Sequence, residues 1–270
     1  MADLVELTAA LNRLGRVLLG YSGGVDSSVL AAVGAQSLGP GRFLAVIGRS
    51  PSYPEAQYRQ AIELATQFGV PLVEVDTDEL HDPNYVANPT NRCFFCKAAL
   101  WDRLGVLAQA RGFDTVIDGT NADDLGDHRP GFAAGTARAI RSPLAELGWR
   151  KADVRRVARE LGLSVWDAPA SPCLSSRVRY GLAITPERLA QVEQGEVFVR
   201  GLGIEGDLRV RHRGEVASIE VAGSMIDRLA AHWSEIEPHF RSLGFARVEL
   251  DPRGYRRGSL LPVVAQTDVA

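Results

Sequence analysis

The sequence predicts an α/β fold, a doubly wound parallel sheet with a small C-terminal α+β domain. The apolar run 16–21 is typical of a strand buried on both faces, and it leads through a glycine turn into the helical stretch 29–33. Further apolar runs alternate with helical patterns, as parallel strands joined by helical crossovers do. These further strands are expected at 43–47, 72–75 and 115–118.

The helical patterns and one proline-rich junction predict the domain organisation. Apolar residues recur at helical spacing in 54–68, 100–107 and 151–163. The junction 166–172 predicts a boundary, with domains 1–168 and 169–270. The second domain is expected to contain two strands that pair around Gly214, a third strand and two helices. The elements are helix 186–200, strands 208–213 and 216–221, helix 225–243 and strand 246–250.

Length and charge exclude several classes of protein. At 270 residues with 46% hydrophobic content, the chain is long enough for one large and one small globular domain. A net charge of -3 gives no general basic field, so nucleic-acid binding would need a local patch. We expect a cytoplasmic protein that binds no membrane, because no apolar run reaches spanning length and the N-terminus lacks the layout of a signal peptide.

The stretch 22–28, Ser-Gly-Gly-Val-Asp-Ser-Ser, has the composition of an anion-binding loop. Its glycines let the backbone approach a ligand, and its serines and the N–H groups of a helix N-terminus offer donors. The patterns of a P-loop kinase and, at this turn, of a Rossmann dinucleotide site are absent. A serine-capped turn is the alternative, but two glycines and three hydroxyls exceed what a cap requires. The candidate binding residues are Ser22, Gly23, Gly24, Asp26, Ser27 and Ser28.

A second loop, 118–124, follows the fourth expected strand and reads Asp-Gly-Thr-Asn-Ala-Asp-Asp. Ligands of open parallel sheets bind beyond the carboxyl ends of the strands, and both this loop and 22–28 lie at such ends. We therefore expect the two loops to face one ligand, with Gly119 among the residues that bind it.

The three cysteines favour metal or redox chemistry, because an odd number in a chain without an export signal does not suit a disulfide framework. Cys93 and Cys96 form a Cys-x-x-Cys pair just before an expected helix, and Cys173 lies at the domain junction. Their spacing leaves structural zinc, a dithiol without Cys173, an iron–sulfur cluster with one open iron, and unreactive buried thiols as interpretations. Zinc would need a histidine as fourth ligand, from His81, His128, His212, His232 and His239.

Strict alternation in 208–213, Leu-Arg-Val-Arg-His-Arg, predicts a strand whose three arginines share one face. Such a row can present donors to phosphate or carboxylate, or it can be the solvated outer face of a sheet. Two nearby glutamates either pair with these arginines or act on a substrate. The residues concerned are Arg209, Arg211, Arg213, Glu193 and Glu196.

Four stretches, in this order along the chain, resemble the LarE family. They are 22–28, 118–131, Arg141-Ser-Pro-Leu and Pro172-Cys-Leu-Ser-Ser-Arg-Val-Arg-Tyr-Gly. The family consists of PP-loop ATP pyrophosphatases, of the adenine nucleotide alpha hydrolase-like fold, that transfer sulfur during synthesis of the nickel-pincer nucleotide. The first stretch is shared with synthetases and transfer-RNA thiolases, whereas Cys-Leu-x-Ser-Arg is much more particular.

The resemblance implies ATP and Mg²⁺ at the first loop, adenylation of a carboxylate of pyridinium-3,5-biscarboxylic acid mononucleotide, and conversion to a thiocarboxylate. Arg209 and Arg211 match basic residues near the substrate phosphate. Cys173 matches the cysteine that some members consume as sulfur donor. Because Cys93 and Cys96 are also present, the resemblance is closer to members in which three cysteines hold a [4Fe-4S] cluster that carries the sulfur on its open iron. The expected catalytic residues are Cys173, Glu196 and Asp26.

The resemblance also assigns partners and domains. We expect a pyridinium mononucleotide as substrate, a cysteine desulfurase or sulfide as sulfur donor, no nucleic acid, and a homo-oligomer, specifically a hexamer. Residues 1–168 would be the PP-loop domain and 169–270 the sulfur-transfer domain. The alternatives are a transfer-RNA thiolase or other PP-loop amidotransferase or synthetase, a sacrificial sulfur donor at Cys173, and a non-catalytic nucleotide sensor with structural zinc.

Overall fold

The computed structural model describes residues 3–126, 130–169 and 171–256, which form two compact units. The first unit comprises Met1–Tyr85 and Asn91–Pro172, and the second comprises Val86–Thr90 and Cys173–Ala270. The sequence gives no sign that the short segment 86–90 belongs with the C-terminal unit. Among the described residues, no helix is both long and apolar enough to cross a membrane.

The first unit contains the expected parallel sheet. Its strand order is β3-β2-β1-β4, and every neighbouring pair is parallel. Because β1 lies between β2 and β4, the loops that follow β1 and β4 leave the sheet side by side at its carboxyl edge. The strands are β1 (Val17–Tyr21), β2 (Phe43–Arg49), β3 (Leu72–Asp76) and β4 (Thr115–Ile117).

Helices cover both faces of this sheet, as expected for a doubly wound fold. Alternate residues of β1 point to opposite faces. Val17 and Leu19 join a core with the helices around 4–13, 25–38, 55–67 and 151–160, whereas Leu18 packs with the helices around 92–111 and 130–136. The helices are α1 (Leu4–Arg13), α2 (Val25–Leu38), α3 (Glu55–Gln67), α4 (Pro83–Val86), α5 (Arg92–Arg111), α6 (Pro130–Thr136), α7 (Pro143–Glu146) and α8 (Lys151–Glu160).

Helix α5 begins earlier than the pattern of apolar residues predicts. It starts at Arg92 rather than at Leu100, so the prediction that Cys93 and Cys96 precede a helix is wrong: both lie in its first two turns. The apolar side chains that α5 buries are Trp101, Leu104 and Ala108, so the pattern of apolar residues does not show its first two turns.

The second unit contains a three-stranded mixed sheet of order β5-β6-β7. Strands β5 and β6 are antiparallel and turn at Gly214, which has a φ of 87°, as the sequence predicts, whereas β6 and β7 are parallel. Helices pack against the sheet through an apolar core that includes Val210, Ile219 and Phe240. The elements are α9 (Pro186–Gly201), β5 (Leu208–His212), β6 (Val216–Val221), α10 (Ile226–Ala231), α11 (Trp233–Ser242) and β7 (Arg247–Leu250).

Two details of the second unit differ from the predictions. The single helix expected at 225–243 is divided at His232 into α10 and α11, and Pro238 inside α11 has no N–H to continue a helical hydrogen-bond ladder. Strand β5 ends at His212, so Arg213 lies beyond the strand rather than in a row with Arg209 and Arg211.

Asn88 ties the segment 86–90 into the second unit. Its φ is 53°, in the left-handed region that asparagine tolerates better than most residues. Its side-chain amide donates to the carbonyl oxygens of Val178, Arg179 and Leu182, and its own carbonyl accepts from the N–H of Gly181. The loop that follows Cys173 is therefore shaped around one buried asparagine.

Candidate functional site

The loop 22–28 connects β1 to α2 and leaves the helix N-terminus without a side-chain cap. Gly24 is the N-cap residue and can make no such bond, so the N–H groups of the first turn of α2 are available to a ligand. Gly23 has a φ of 67°, and a Cβ there would lie 2.5 Å from the Cβ of Ala61. Only glycine fits this turn without strain or collision.

The sequence predicts that all the serines of the loop offer donors to a ligand, but in the structure they do not. The hydroxyl of Ser27 donates to the carbonyl of Gly24 at 3.0 Å and accepts from the N–H of Ser22 at 3.2 Å, so it holds the loop in shape. Ser28 is buried in the core, with 2% of its surface exposed. The hydroxyl of Ser22 belongs to an exposed residue and is hydrogen-bonded to that of Ser27 at 3.2 Å, so it must turn from Ser27 to donate to a ligand.

Tyr53 and Gln57 orient the loop from the side of α3. The Tyr53 hydroxyl (2.9 Å) and the Gln57 amide (3.1 Å) both donate to the carbonyl oxygen of Ser22. Because a trans peptide is planar, this turns the N–H of Gly23 away from α3. Burial raises the pKa of Tyr53, so its hydroxyl stays a donor at any physiological pH.

Asp26, in the first turn of α2, forms an ion pair with a residue far along the chain. Its Oδ2 atom lies 2.5 Å from Nζ of Lys151, the first residue of α8, and its Oδ1 atom accepts from the side-chain amide of Asn121 at 3.1 Å. The backbone N–H of Lys151 donates to Asp123 at 2.9 Å. Lys151 thus places a positive charge beside a loop that contains no lysine or arginine.

The second loop packs directly against the first, at the carboxyl edge of the sheet where the sequence predicts both loops. A Cβ at Gly119 would lie 2.9 Å from the backbone nitrogen of Ser27, so the loop after β4 can approach α2 only because residue 119 is glycine. Asp118 shapes this loop: its carboxylate accepts from the N–H and hydroxyl of Thr120 and from the hydroxyl of Ser142.

The cysteines lie in different units. Cys93 (exposed) and Cys96 (half-buried) belong to the first unit and are one turn of α5 apart, so their side chains are neighbours on one helix face. Cys173, half-buried, begins the second unit. Within the described parts of the chain, no three His, Cys, Asp or Glu side chains are grouped so as to hold a metal ion. His128, one of the histidines considered as a zinc ligand, lies outside the described residues.

The arginines of β5 are buried, which contradicts the interpretation of a solvated outer face. Arg209 is 8% exposed and Arg211 6% exposed. Arg211 pairs with Glu220, which is fully buried, through Nε and Oε2 at 2.9 Å. Glu196 pairs with Arg177 and not with an arginine of β5, and its Oε1 atom also accepts from the N–H of Val210.

Arg209 has no carboxylate partner within ion-pair distance among the described residues. Its guanidinium donates to the carbonyl of Leu208 and lies 5.2 Å from the ring centroid of Tyr255. Burial, and then the nearby charge of Arg177, lower the pKa of Arg209. Burial of a cation that has no ion-pair partner is costly, and an anion bound beside Arg209 would offset part of that cost.

Comparisons with known proteins give one family profile and several relatives. The NAD synthase family profile matches residues 3–88. The chain is 43% identical over 267 residues to the uncharacterized protein slr1717 of Synechocystis, covering 98% of this chain and 99% of that one. It is 33% identical over 264 residues to the pyridinium-3,5-bisthiocarboxylic acid mononucleotide synthase of Lactiplantibacillus plantarum, covering 98% and 95%. It is 29% identical to the tRNA-specific 2-thiouridylase MnmA of Beijerinckia indica, covering 77% and 58%.

The parallel sheet with a Ser-Gly-Gly-x-Asp-Ser loop after β1 defines the class: this is a PP-loop protein related to NAD synthase, and such proteins use ATP and Mg²⁺. Within that class, the chain belongs to the LarE family, that of the pyridinium-3,5-bisthiocarboxylic acid mononucleotide synthases. At the level of the family it is an ATP-utilising sulfurtransferase.

Several residues that shape these regions were not found from the sequence. Lys151 was seen only as the start of an amphipathic helix, and Arg177 only as the end of the Cys-Leu-Ser-Ser-Arg motif. Tyr53 and Gln57 carried no signal, because a tyrosine and a glutamine before and within a helix are ordinary. The pairing of Asp26 with Lys151 depends on contacts between segments distant in sequence, and no spacing rule predicts such contacts.

Proposed function

We propose that this chain is an ATP-dependent sulfurtransferase that converts a carboxylate of pyridinium-3,5-biscarboxylic acid mononucleotide into a thiocarboxylate. The observation that carries the proposal is the identity of 33% to a synthase of the corresponding bisthiocarboxylic acid mononucleotide, which extends over 98% of the chain. The uncapped helix N-terminus at Gly24, and Arg209, which has no ion-pair partner among the described residues, support the proposal because the reaction needs two anion sites.

The reaction has two balanced steps. In the first, a carboxylate oxygen of the substrate attacks the α-phosphorus of ATP, and pyrophosphate leaves with the electrons of the broken P–O bond. In the second, a sulfur nucleophile attacks the acyl carbon, and AMP leaves. Activation is required because the charge of a carboxylate is delocalised and its own leaving group would be oxide, whereas AMP leaves as a phosphate monoester.

The first unit would bind the nucleotide. The first-turn N–H groups of α2 and the N–H of Gly23 would donate to the pyrophosphate, and Ser22 would add its hydroxyl. Lys151 Nζ would neutralise charge on the phosphates while Asp26 holds it in place. Gly119 would allow the loop after β4 to close against the same ligand.

The second unit would bind the mononucleotide. Arg209 is the residue we assign to the substrate phosphate, because its charge has no partner carboxylate within the described part of the unit. Arg211 is paired with Glu220. In this proposal it stabilises the sheet and adds positive potential to the site, but it does not bind the ligand. This divides the role that the sequence gave equally to both arginines.

The cysteines would deliver the sulfur. Cys93 and Cys96 fit a pair of thiolate ligands, since they are adjacent on one turn of α5 and Cys93 is exposed. With Cys173 as the third ligand they would hold a [4Fe-4S] cluster, and such a group, when bound, supplies an open iron for an exchangeable sulfide. A sacrificial Cys173 is the alternative, in which its own Cβ–S bond breaks and dehydroalanine remains.

The function is tested by pyrophosphate release from ATP and Mg²⁺ with each candidate substrate. We expect release that depends on the pyridinium biscarboxylate mononucleotide and a product heavier by the exchange of oxygen for sulfur. Release that depends on unmodified transfer RNA would instead support a thiolase, the activity named for the Beijerinckia relative. No release with either substrate would support a nucleotide-binding sensor.

The sulfur source is tested with the protein prepared without oxygen. We expect brown protein with about four irons per chain. Replacing Cys93, Cys96 or Cys173 by alanine in turn should remove the colour and the sulfur transfer and leave ATP binding unchanged. If only Cys173→Ala loses transfer, and the wild-type chain loses one sulfur from Cys173 in mass spectrometry, the sacrificial mechanism is correct.

A further inference from the structure

The carbonyl oxygen of Cys173 is the meeting point of three hydrogen-bond donors. It accepts from Nη1 of Arg177 at 2.9 Å, from the hydroxyl of Ser176 at 2.7 Å and from the N–H of Ser176 at 3.0 Å. A carbonyl oxygen has two lone pairs, so this one is fully used. The backbone at Cys173 is therefore held much more firmly than in an ordinary connection between a loop and a short helix.

The Arg177 side chain is itself held in a buried ion pair. Its Nε and Nη2 atoms donate to the two carboxylate oxygens of Glu196 at 3.0 and 3.1 Å, and 4% of its side chain is exposed. Glu196 lies in α9, and its Oε1 atom also accepts from the N–H of Val210 in β5 at 3.1 Å. A continuous series of hydrogen bonds thus connects β5, through Glu196 and Arg177, to the carbonyl oxygen of Cys173.

We propose that Arg177 is a positioning residue that fixes the backbone of Cys173, and that Glu196 acts through it. The proposal rests on the function proposed above, in which Cys173 handles sulfur. Glu196 is then not a group that reacts with substrate, because its carboxylate oxygens are engaged by Arg177 and Val210. Its role is to lock the guanidinium that reaches the cysteine.

The geometry requires arginine at this position. A guanidinium offers Nε and Nη2 on one edge to the carboxylate and keeps Nη1 for a third acceptor in the same plane. A lysine ammonium can replace the charge, but its three donors leave one nitrogen, so it cannot pair with both carboxylate oxygens side by side and reach the carbonyl of Cys173 in the same plane. Arg177→Lys therefore keeps the ion pair and loses the hold on Cys173.

The simpler role is that the Arg177–Glu196 pair only stabilises the second unit. That role predicts that every effect of a substitution follows the loss of folding free energy. The positioning role predicts instead that the reactivity of the Cys173 thiol and the turnover number change in a variant that is still folded. These two quantities are therefore measured next to the unfolding transition.

The experiment compares Arg177→Lys, Glu196→Gln and their double variant with the full-length wild-type chain. The matched control is Arg241→Met. Arg241 also bridges a carboxylate, of Glu237, and a carbonyl, of Ala246, within the second unit. For each protein we measure the turnover number and the KM values for ATP and mononucleotide, and urea unfolding. The rate of Cys173 alkylation by iodoacetamide is followed by mass spectrometry on the same protein after iron has been removed with a chelator.

We expect both single variants to lower the turnover number about 10- to 100-fold, as the loss of a charge-assisted bond at a reacting group does, with KM values within about twofold of wild type. Alkylation of Cys173 should become severalfold faster, because the half-buried thiol is no longer held. The double variant should resemble the single ones, since both substitutions break one chain of bonds. Arg241→Met should change neither turnover nor alkylation.

Two results would overturn the proposal. In one, Arg177→Lys has wild-type turnover and alkylation. In the other, Glu196→Gln alone removes activity and abolishes the acidic limb of the pH profile of kcat/KM, which would make Glu196 an acid–base group on the substrate. Failure of the proposed function gives a different result: the wild-type chain then releases no substrate-dependent pyrophosphate, while the alkylation rates still report whether Arg177 holds Cys173.

Discussion

The two units keep their charged groups in different surroundings. In the first, Asp26 and Lys151 meet at the edge of the nucleotide loop, where 38% of the lysine side chain is exposed. In the second, Arg211 and Glu220 meet in the interior, with 7% and 0% of their side chains exposed. A pair in contact with water is worth little to the fold, whereas a buried pair leaves a costly charge behind when one partner is removed. A substitution in the Asp26–Lys151 pair can therefore change ligand binding without unfolding the first unit. A substitution in the Arg211–Glu220 pair instead changes the stability of the second unit.

The largest expected effect separates the two arginines of β5. Arg211→Met should lower the free energy of unfolding by about 3–5 kcal/mol, because it removes the guanidinium that pairs with the fully buried carboxylate of Glu220. Arg209→Met removes a buried cation that has no carboxylate partner in the described residues, so it should cost less than about 1 kcal/mol or stabilise the unit. Urea unfolding of both variants measures the difference, and equal losses would contradict the assignment of the free charge to Arg209.

The next effect concerns the exposed pair of the first unit. Asp26→Asn should reduce adenylation about 100- to 1000-fold, because Lys151 loses the group that orients it and the site loses a carboxylate. The unfolding midpoint should stay close to that of wild type, since the pair is partly exposed. Pyrophosphate release and urea unfolding are measured together, with Lys151→Met and the double variant to test coupling. Normal turnover of ATP in Asp26→Asn would show that this carboxylate has no part in the reaction.

A pH titration tests the interior of the second unit without any ligand. Burial, and then the charge of Arg188, lower the pKa of His212 to about 4. The unfolded chain, with an ordinary histidine pKa near 6.5, binds more protons between these values, so stability falls as pH drops from about 6.5 to 4. The total loss should be up to about 3 kcal/mol. Urea unfolding at pH 7.0 and 4.5 measures it, and His212→Gln, which keeps a side-chain amide near Gln191, should flatten the dependence.

The smallest effect comes from the contact between the two loops of the first unit. Gly119→Ala places a Cβ 2.9 Å from the nitrogen of Ser27, so the first turn of α2 must shift. We expect a loss of about 1–3 kcal/mol and weaker ATP binding. Gly41→Ala is the control, because nothing lies within 4 Å of a Cβ at that position. If both variants bind ATP like the wild type, the loop after β4 does not contribute to the nucleotide site.

The difference between the units also explains what the sequence could predict. The strands of the sheet and the loop 22–28 were predictable because each depends on residues adjacent in the chain: an apolar run, two glycines and a helix start. The partners of the expected binding residues were not predictable from the sequence. Glu196 was expected to meet the arginines of β5 or a substrate, yet it holds Arg177, and Asp26 holds a lysine 125 positions away. Such partners are chosen by packing, which local pattern does not contain.

The burial of the β5 arginines was the second property that the sequence pattern could not predict. Alternation of charged and apolar residues in β5 is compatible with a charged face that is exposed to solvent, and equally with a charged face that other elements cover. The described structure buries this face and pairs Arg211 with Glu220, although Arg209 is the residue directly opposite Glu220 in the ladder. Because of that diagonal pairing, Arg209 has no carboxylate partner within the described part of the chain. No rule of spacing distinguishes it from the direct one.

The segment 86–90 has a consequence for the order in which the chain folds during synthesis. Residues of the first unit are all present once Pro172 has been made, whereas the second unit needs Asn88, made early, and the strands that end at Leu250. Until then the Asn88 amide lacks the three carbonyl oxygens that it later binds. A proteolytic fragment that begins at Cys173 does not contain Asn88. Its loop 178–182 would therefore lack the hydrogen bonds that the Asn88 amide donates. The second unit is thus a product of the whole chain and not an independent module.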